Sequence, residues 1–128
     1  MKFYFFLPGI AWFIISAVLL AIPGNNLPAT GLNQIPYFDK MVHLVMFFLL
    51  IFFFCVPFRF SSLSLSRGAN LFALISTLGF AFGIAMEFVQ KFLVANRSFD
   101  EVDIVCDAIG CLAGALVSWK IYKKDRPR

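Results

Sequence analysis

The chain has 128 residues, of which 61% are hydrophobic and only 14% charged; its formal net charge is +4 and its mean hydropathy +0.87. A soluble domain carries about 25% charged and 45–50% apolar residues. One small aqueous core cannot hide this much apolar surface, which excludes an ordinary soluble domain and makes lipid the solvent.

A bilayer core is about 30 Å thick and takes roughly 20 apolar residues per helical crossing. Four segments approach that length, and the ten-residue alternating strands of a barrel are missing. The sequence therefore predicts an all-α integral membrane bundle of four transmembrane helices in a single domain. The first segment runs from Phe3 to Ile22. Pro8 falls in its first turns, where a missing N–H matters least. No clear small-x-small cleavage signal follows at Leu20-Ala21-Ile22-Pro23, so the segment reads as a retained helix and not a signal peptide. The loop from Pro23 to Phe38 mixes Pro, Gly and Asn with Leu27, Leu32, Ile35, Tyr37 and Phe38. So apolar a loop should lie on the membrane interface, placed to roof a polar site beneath it.

The second segment runs from Met41 to Pro57, and Asp39-Lys40 stands at its start with His43 about one turn into the membrane. Asp39 reads as a cap of this helix or as part of a polar site, sharing a face with His43. Lys40 either snorkels to the interface or joins that site. The third segment runs from Ala69 to Gln90, and Asn96 suits a left-handed cap at its end. Ser98-Phe99-Asp100-Glu101 then fits a capping box, with Ser98 as N-cap and Glu101 at the third position. In that reading Asp100 and Glu101 are only first-turn acids favoured by the helix dipole. The fourth segment runs from Ile104 to Tyr122, and the basic tail behind it is a stop signal attracted by anionic lipid, not a nucleic-acid arm. Cys55, Cys106 and Cys111 match no zinc or redox spacing and read as small hydrophobes.

Basic residues mark the cytoplasmic side of a membrane protein. Four crossings place Lys2, Arg59, Arg67, Lys120, Lys123, Lys124, Arg126 and Arg128 on one side and Lys40, Lys91 and Arg97 on the other. Both termini are therefore expected in the cytoplasm. Asp39, Glu87, Asp100, Glu101, Asp103 and Asp107 collect at the opposite, outer ends of the helices.

Polar groups inside a span are costly unless paired or hydrated, which makes them informative. Helix three carries Gly79, Gly83, Glu87 and Gln90; helix four, read backwards, carries Gly114, Gly110, Asp107 and Asp103. Both series step by four, four and three along one helix face. In a tight hairpin the depth-matched pairs are Gly79 with Gly114, Gly83 with Gly110, Glu87 with Asp107, and Gln90 with Asp103. Spaced glycines let helices approach closely in lipid, so the glycine pairs are expected to form the deep contact. Two carboxylates as close as Glu87 and Asp107 share a proton, pair with a cation or bind a metal. Arg97, Lys40 and His43 are the candidate cations.

The ordered set Asp39-Lys40, His43, Glu87, Gln90, Arg97, Asp103, Gly110 and Gly114 resembles the VanZ-like family over about Asp39 to Gly114. Many members of that family show Asn where this chain has Asp107, and the Pro-Gly often found before the arginine is Ala95-Asn96 here. The resemblance implies a small bacterial inner-membrane protein, associated through its founding member with resistance to the glycopeptide teicoplanin.

Three classes of function follow. The first is a binding site for a phosphorylated envelope lipid or a cell-wall precursor, formed by Asp39, Lys40, His43, Glu87, Gln90, Arg97, Asp103 and Asp107, with Arg97 and Lys40 on phosphate. The second is a lipid-modifying enzyme with Glu87, His43 or Asp107 as catalytic group, and with or without a metal held by His43, Glu87, Asp103 and Asp107. The third is a structural or partner protein whose polar cluster only locks the helices; a carrier would need an oligomer, because four spans are few for a transport path. The sequence has no nucleotide loop, nucleophile elbow or thiol-based metal motif.

Overall fold

A computed structural model describes residues 2–23, 31 and 35–126, and among these it is all-helical with no strand. Helix α1 (Leu7–Ala21) follows a 3-10 turn at Phe3–Phe6. Helix α2 (Phe38–Cys55) continues into a 3-10 turn at Val56–Phe60, and α3 (Leu65–Leu93) and α4 (Glu101–Lys124) complete the chain. Each of the four, with its flanking turn, is long and apolar enough to cross a membrane. Leu27 and Leu32, two residues of the expected interfacial roof, lie outside the described residues.

The helices outrun the apolar segments by a turn or so at several ends, because backbone hydrogen bonding continues past the hydrocarbon boundary. At 1.5 Å per residue α3 is roughly 44 Å long, more than the bilayer core, so its ends protrude or the helix tilts. Tyr37 and Asn96 both have positive φ, 62° and 57°. Asn96 thus adopts the expected left-handed conformation, two residues beyond the Val94 cap of α3.

Two capping expectations need correction. Helix α4 starts at Glu101 with Asp100 as its N-cap, the Asp100 side chain accepting from the Val102 N–H at 2.8 Å. Ser98 is therefore outside the helix and the capping box does not form. Likewise α2 begins one residue before Asp39, at Phe38, so Asp39 is a first-turn residue and caps nothing.

The centre of the bundle is the parallel pair α2 and α4, which share the most extensive contact in the fold. The buried face of α2 is His43, Met46, Phe47, Leu50, Ile51 and Cys55, a continuous stripe at three- and four-residue steps. Against it α4 presents Gly110 and Gly114. A Cβ on Gly110 would collide with the Leu44 carbonyl, and one on Gly114 would come within 2.6 Å of the Phe48 carbonyl. This Gly-x-x-x-Gly face seats α4 on the backbone of α2, and not on the glycines of α3 as the hairpin symmetry suggested. The glycines of α3 have a different use. Gly79 leaves room for Ile51, with Cys111 behind it, and Gly83 for Phe47 and Asp107, whose Oδ2 would be 2.7 Å from a Cβ there. Helix α1 lies at the side, burying only Gly9, Ser16 and Leu20, and donates the Trp12 indole N–H to the Met46 carbonyl at 2.9 Å.

Candidate functional site at the acidic end of the bundle

The parallel α2 and α4 begin at the same end, so Lys40 and His43 meet Asp100, Asp103 and Asp107 there. Lys40 does not snorkel. Its ammonium turns inward and pairs with Asp39 Oδ2 at 2.9 Å, with Asp103 Oδ1 at 2.7 Å and with the Asp100 carboxylate. The His43 ring meets two of the α4 acids: Nδ1 lies 2.9 Å from Asp107 Oδ1 and Nε2 lies 3.6 Å from Asp103 Oδ2. Glu87 reaches in from α3, where its Oε2 accepts the Asp100 backbone N–H at 3.1 Å. One ligand atom each from His43, Glu87 and Asp103 lies within 4.8 Å of the others.

The cluster has two layers. Asp39 and Asp100 face outward, with 66% and 36% of their side chains exposed. His43, Glu87, Asp103 and Asp107 are buried, Glu87 and Asp107 almost completely. His43 is five residues into α2 and Asp107 six into α4, roughly 7–9 Å along the axis from the helix ends, which places the site toward one end of the bundle and not midway along it. Electrostatically it is lopsided: the five carboxylates of Asp39, Glu87, Asp100, Asp103 and Asp107 face one lysine and one imidazole. The Lys40 ammonium, hydrogen-bonded to Asp100, holds that carboxyl below the usual carboxylate range. Asp107 Oδ2 is buried without a hydrogen-bond partner among the described residues.

Two residues expected at this site are turned elsewhere. Gln90 donates to the Leu20 carbonyl at 2.9 Å, and Arg97 donates to the Ile22 carbonyl at 3.2 Å and the Leu19 carbonyl at 3.5 Å. The last carbonyls of a helix have no partner within it. Gln90 and Arg97 supply those partners for α1, so neither Gln90 with Asp103 nor Arg97 with a carboxylate pairs in the structure. Asp100, in contrast, belongs to the cluster although its helix-start position suggested only a dipole role. The signal for it was the spacing Asp100, Asp103, Asp107, which puts three acids on one face of α4.

Polar groups clustered at one end of four lipid-facing helices define a multi-pass membrane protein. The sequence profile of the VanZ/LLP1 family matches residues 4–122, and the chain belongs to that family. It is 37% identical over 90 residues to an uncharacterized protein of Schizosaccharomyces pombe, an alignment covering 70% of this chain and 52% of the yeast protein. The chain thus spans about half the length of this curated relative. No solved structure matches it significantly.

Proposed function

We propose that this protein binds the polar headgroup of an envelope lipid or cell-wall precursor at its acidic end. The observation that carries the reading is the gathering of five carboxylates around one lysine and one histidine at one end of the bundle. Stability gives no reason to gather so many acceptors in one place, since each buried charge beyond a pair adds desolvation and repulsion. A ligand bearing hydroxyl, amide or amine groups gives a reason, because it brings the donors that the site lacks. Lys40 is already neutralised and Arg97 is engaged with α1, so direct capture of phosphate by these two cations has less support than donor groups on the headgroup. An apolar cleft of about 280 Å³ between α1 and the first half of α2, lined by Leu19, Phe38, Met41 and Val45 among others, offers acyl chains a place beside the site.

The distribution of basic residues supports termini in the cytoplasm, with the acidic end on the outer side. The family resemblance supports a bacterial inner membrane and a role in glycopeptide (teicoplanin) resistance. The hydrogen bond from His43 to Asp107 favours a second reading, in which the oriented imidazole is a general base of a lipid-modifying enzyme.

The headgroup reading is tested by native mass spectrometry of the protein released from nanodiscs containing phosphatidylethanolamine, phosphatidylglycerol and phosphatidic acid in equal parts. Wild type is expected to retain lipids enriched in amine- or hydroxyl-bearing headgroups, and Asp103→Asn to lose that enrichment. Retention in proportion to the nanodisc composition, unchanged by the substitution, would overturn the reading.

A further inference from the structure

We propose that the inner layer is a divalent-metal site, with His43 Nε2, Glu87 and Asp103 as ligands and Asp107 as the group that orients the histidine. The inference goes beyond the headgroup reading and does not depend on it.

The geometry starts with Asp107. An ionised carboxylate accepts, so with Asp107 ionised and His43 neutral the 2.9 Å contact puts the ring hydrogen on Nδ1 and leaves Nε2 with its lone pair. That nitrogen belongs to a side chain only 7% exposed, and it makes no hydrogen bond among the described residues; Asp103 Oδ2, facing it, is 3.6 Å away. This is too long for a hydrogen bond. It is close to the separation of two ligands on one ion, about 3.3 Å for bonds near 2.0–2.1 Å in tetrahedral geometry. Glu87 completes the triangle. Metal-bound histidines commonly donate their other N–H to a carboxylate, which fixes the tautomer and raises ligand basicity. Asp107 stands in that position, and Gly83 leaves the space for its second oxygen.

The neighbouring acids give an internal contrast. Asp39, Asp100 and Asp103 also lie close enough together to hold an ion, but the Lys40 ammonium is bonded to all three. The outer group is thus already occupied by a cation, whereas of the inner triad Lys40 reaches only Asp103 Oδ1, leaving Asp103 Oδ2, Glu87 and His43 Nε2 to face one another. One nitrogen and two carboxylate donors suit Zn²⁺ or Mn²⁺ better than a soft-metal site. Two positive charges there would offset the carboxylates that Lys40 leaves unbalanced.

The test uses the full chain in mild detergent, stripped with a chelator and titrated with Zn²⁺ or Mn²⁺ alone. The expected result is one ion bound per chain, lost in His43→Gln and Glu87→Gln, weakened about 10–100-fold in Asp107→Ala, and unchanged in Arg97→Ala. Because the chain has a single histidine, nitrogen NMR of the labelled wild type reads the same contact without any substitution: Nε2 shifts on metal addition and Nδ1 stays protonated. Absence of binding by folded wild type, or binding that leaves the histidine signals in place, would overturn the site. Lipid enrichment in nanodiscs alongside a folded wild type that binds no metal would show the headgroup reading standing while the metal fails.

Discussion

The two ends of this bundle handle polar groups in opposite ways. At the basic end the Tyr122 hydroxyl donates to the Leu63 carbonyl at 2.7 Å, Arg126 donates to the Ser61 carbonyl, and Arg59 pairs with Asp125 at 2.9 Å. Donors there tie down the loop that α4 closes, and one cation is paired with an acid, although Arg126 Nε is buried without a partner among the described residues. At the acidic end acceptors outnumber donors, and a buried carboxylate oxygen of Asp107 has no partner among the described residues. An end that only has to close the fold is built like the first. The second accumulates charge that the fold does not need, which points to a ligand as the reason for it.

Breaking the seam that joins the two ends has the largest expected effect. Gly110→Val puts side-chain atoms into the Leu44 carbonyl and the Phe48 amide, backbone groups that cannot move aside. It should cost about 3 kcal/mol or more and abolish a monodisperse elution peak, with both ends lost together. A smaller and opposed pair of effects separates the ends. Tyr122→Phe should lower stability by about 1 kcal/mol with lipid and metal binding intact, whereas Glu87→Gln should abolish binding. Arg97→Ala sharpens the contrast further, because Arg97 lies near the acidic end but serves α1. It should cost about 0.5–1 kcal/mol in thermal unfolding and leave the ligands of the cluster in place.

The smallest effect is one of pH. Lys40 holds the Asp100 carboxyl below its ordinary range, so the stabilisation from this pair is complete above the unfolded value, about 4, and is lost as pH falls through the folded one. The unfolding midpoint should therefore fall slightly more between pH 5 and 3, about one unit either side of that value, for wild type than for Asp100→Asn. The difference stays small because the Asp100 side chain is more than one-third exposed and screened by solvent.

Much of this arrangement was legible in the sequence. Apolar runs separated by turn residues gave the four helices, because lipid permits few other ways to satisfy a buried backbone. The acids on α4 and the pairing of Lys40 and His43 with one end followed from the same periodicity. What the residues alone did not reveal was partner choice between helices. Matched spacing on α3 and α4 suggested glycine meeting glycine, yet the Gly110 and Gly114 face packs on α2, because the parallel neighbour lies closer than the hairpin partner. Gln90 and Arg97 were out of reach for a similar reason: the carbonyls they cap belong to the end of α1, some seventy residues earlier. Local signals carry no record of such a contact.

The most direct test is the thermal unfolding midpoint of Glu87→Gln beside that of Tyr122→Phe, both stripped of metal and lipid. Glutamine keeps an acceptor for the Asp100 N–H and removes one of the crowded charges. The account predicts a midpoint for Glu87→Gln equal to or above wild type, with Tyr122→Phe below it. A marked fall for Glu87→Gln, as large as or larger than that of Tyr122→Phe, would contradict it and make the acidic end a structural lock.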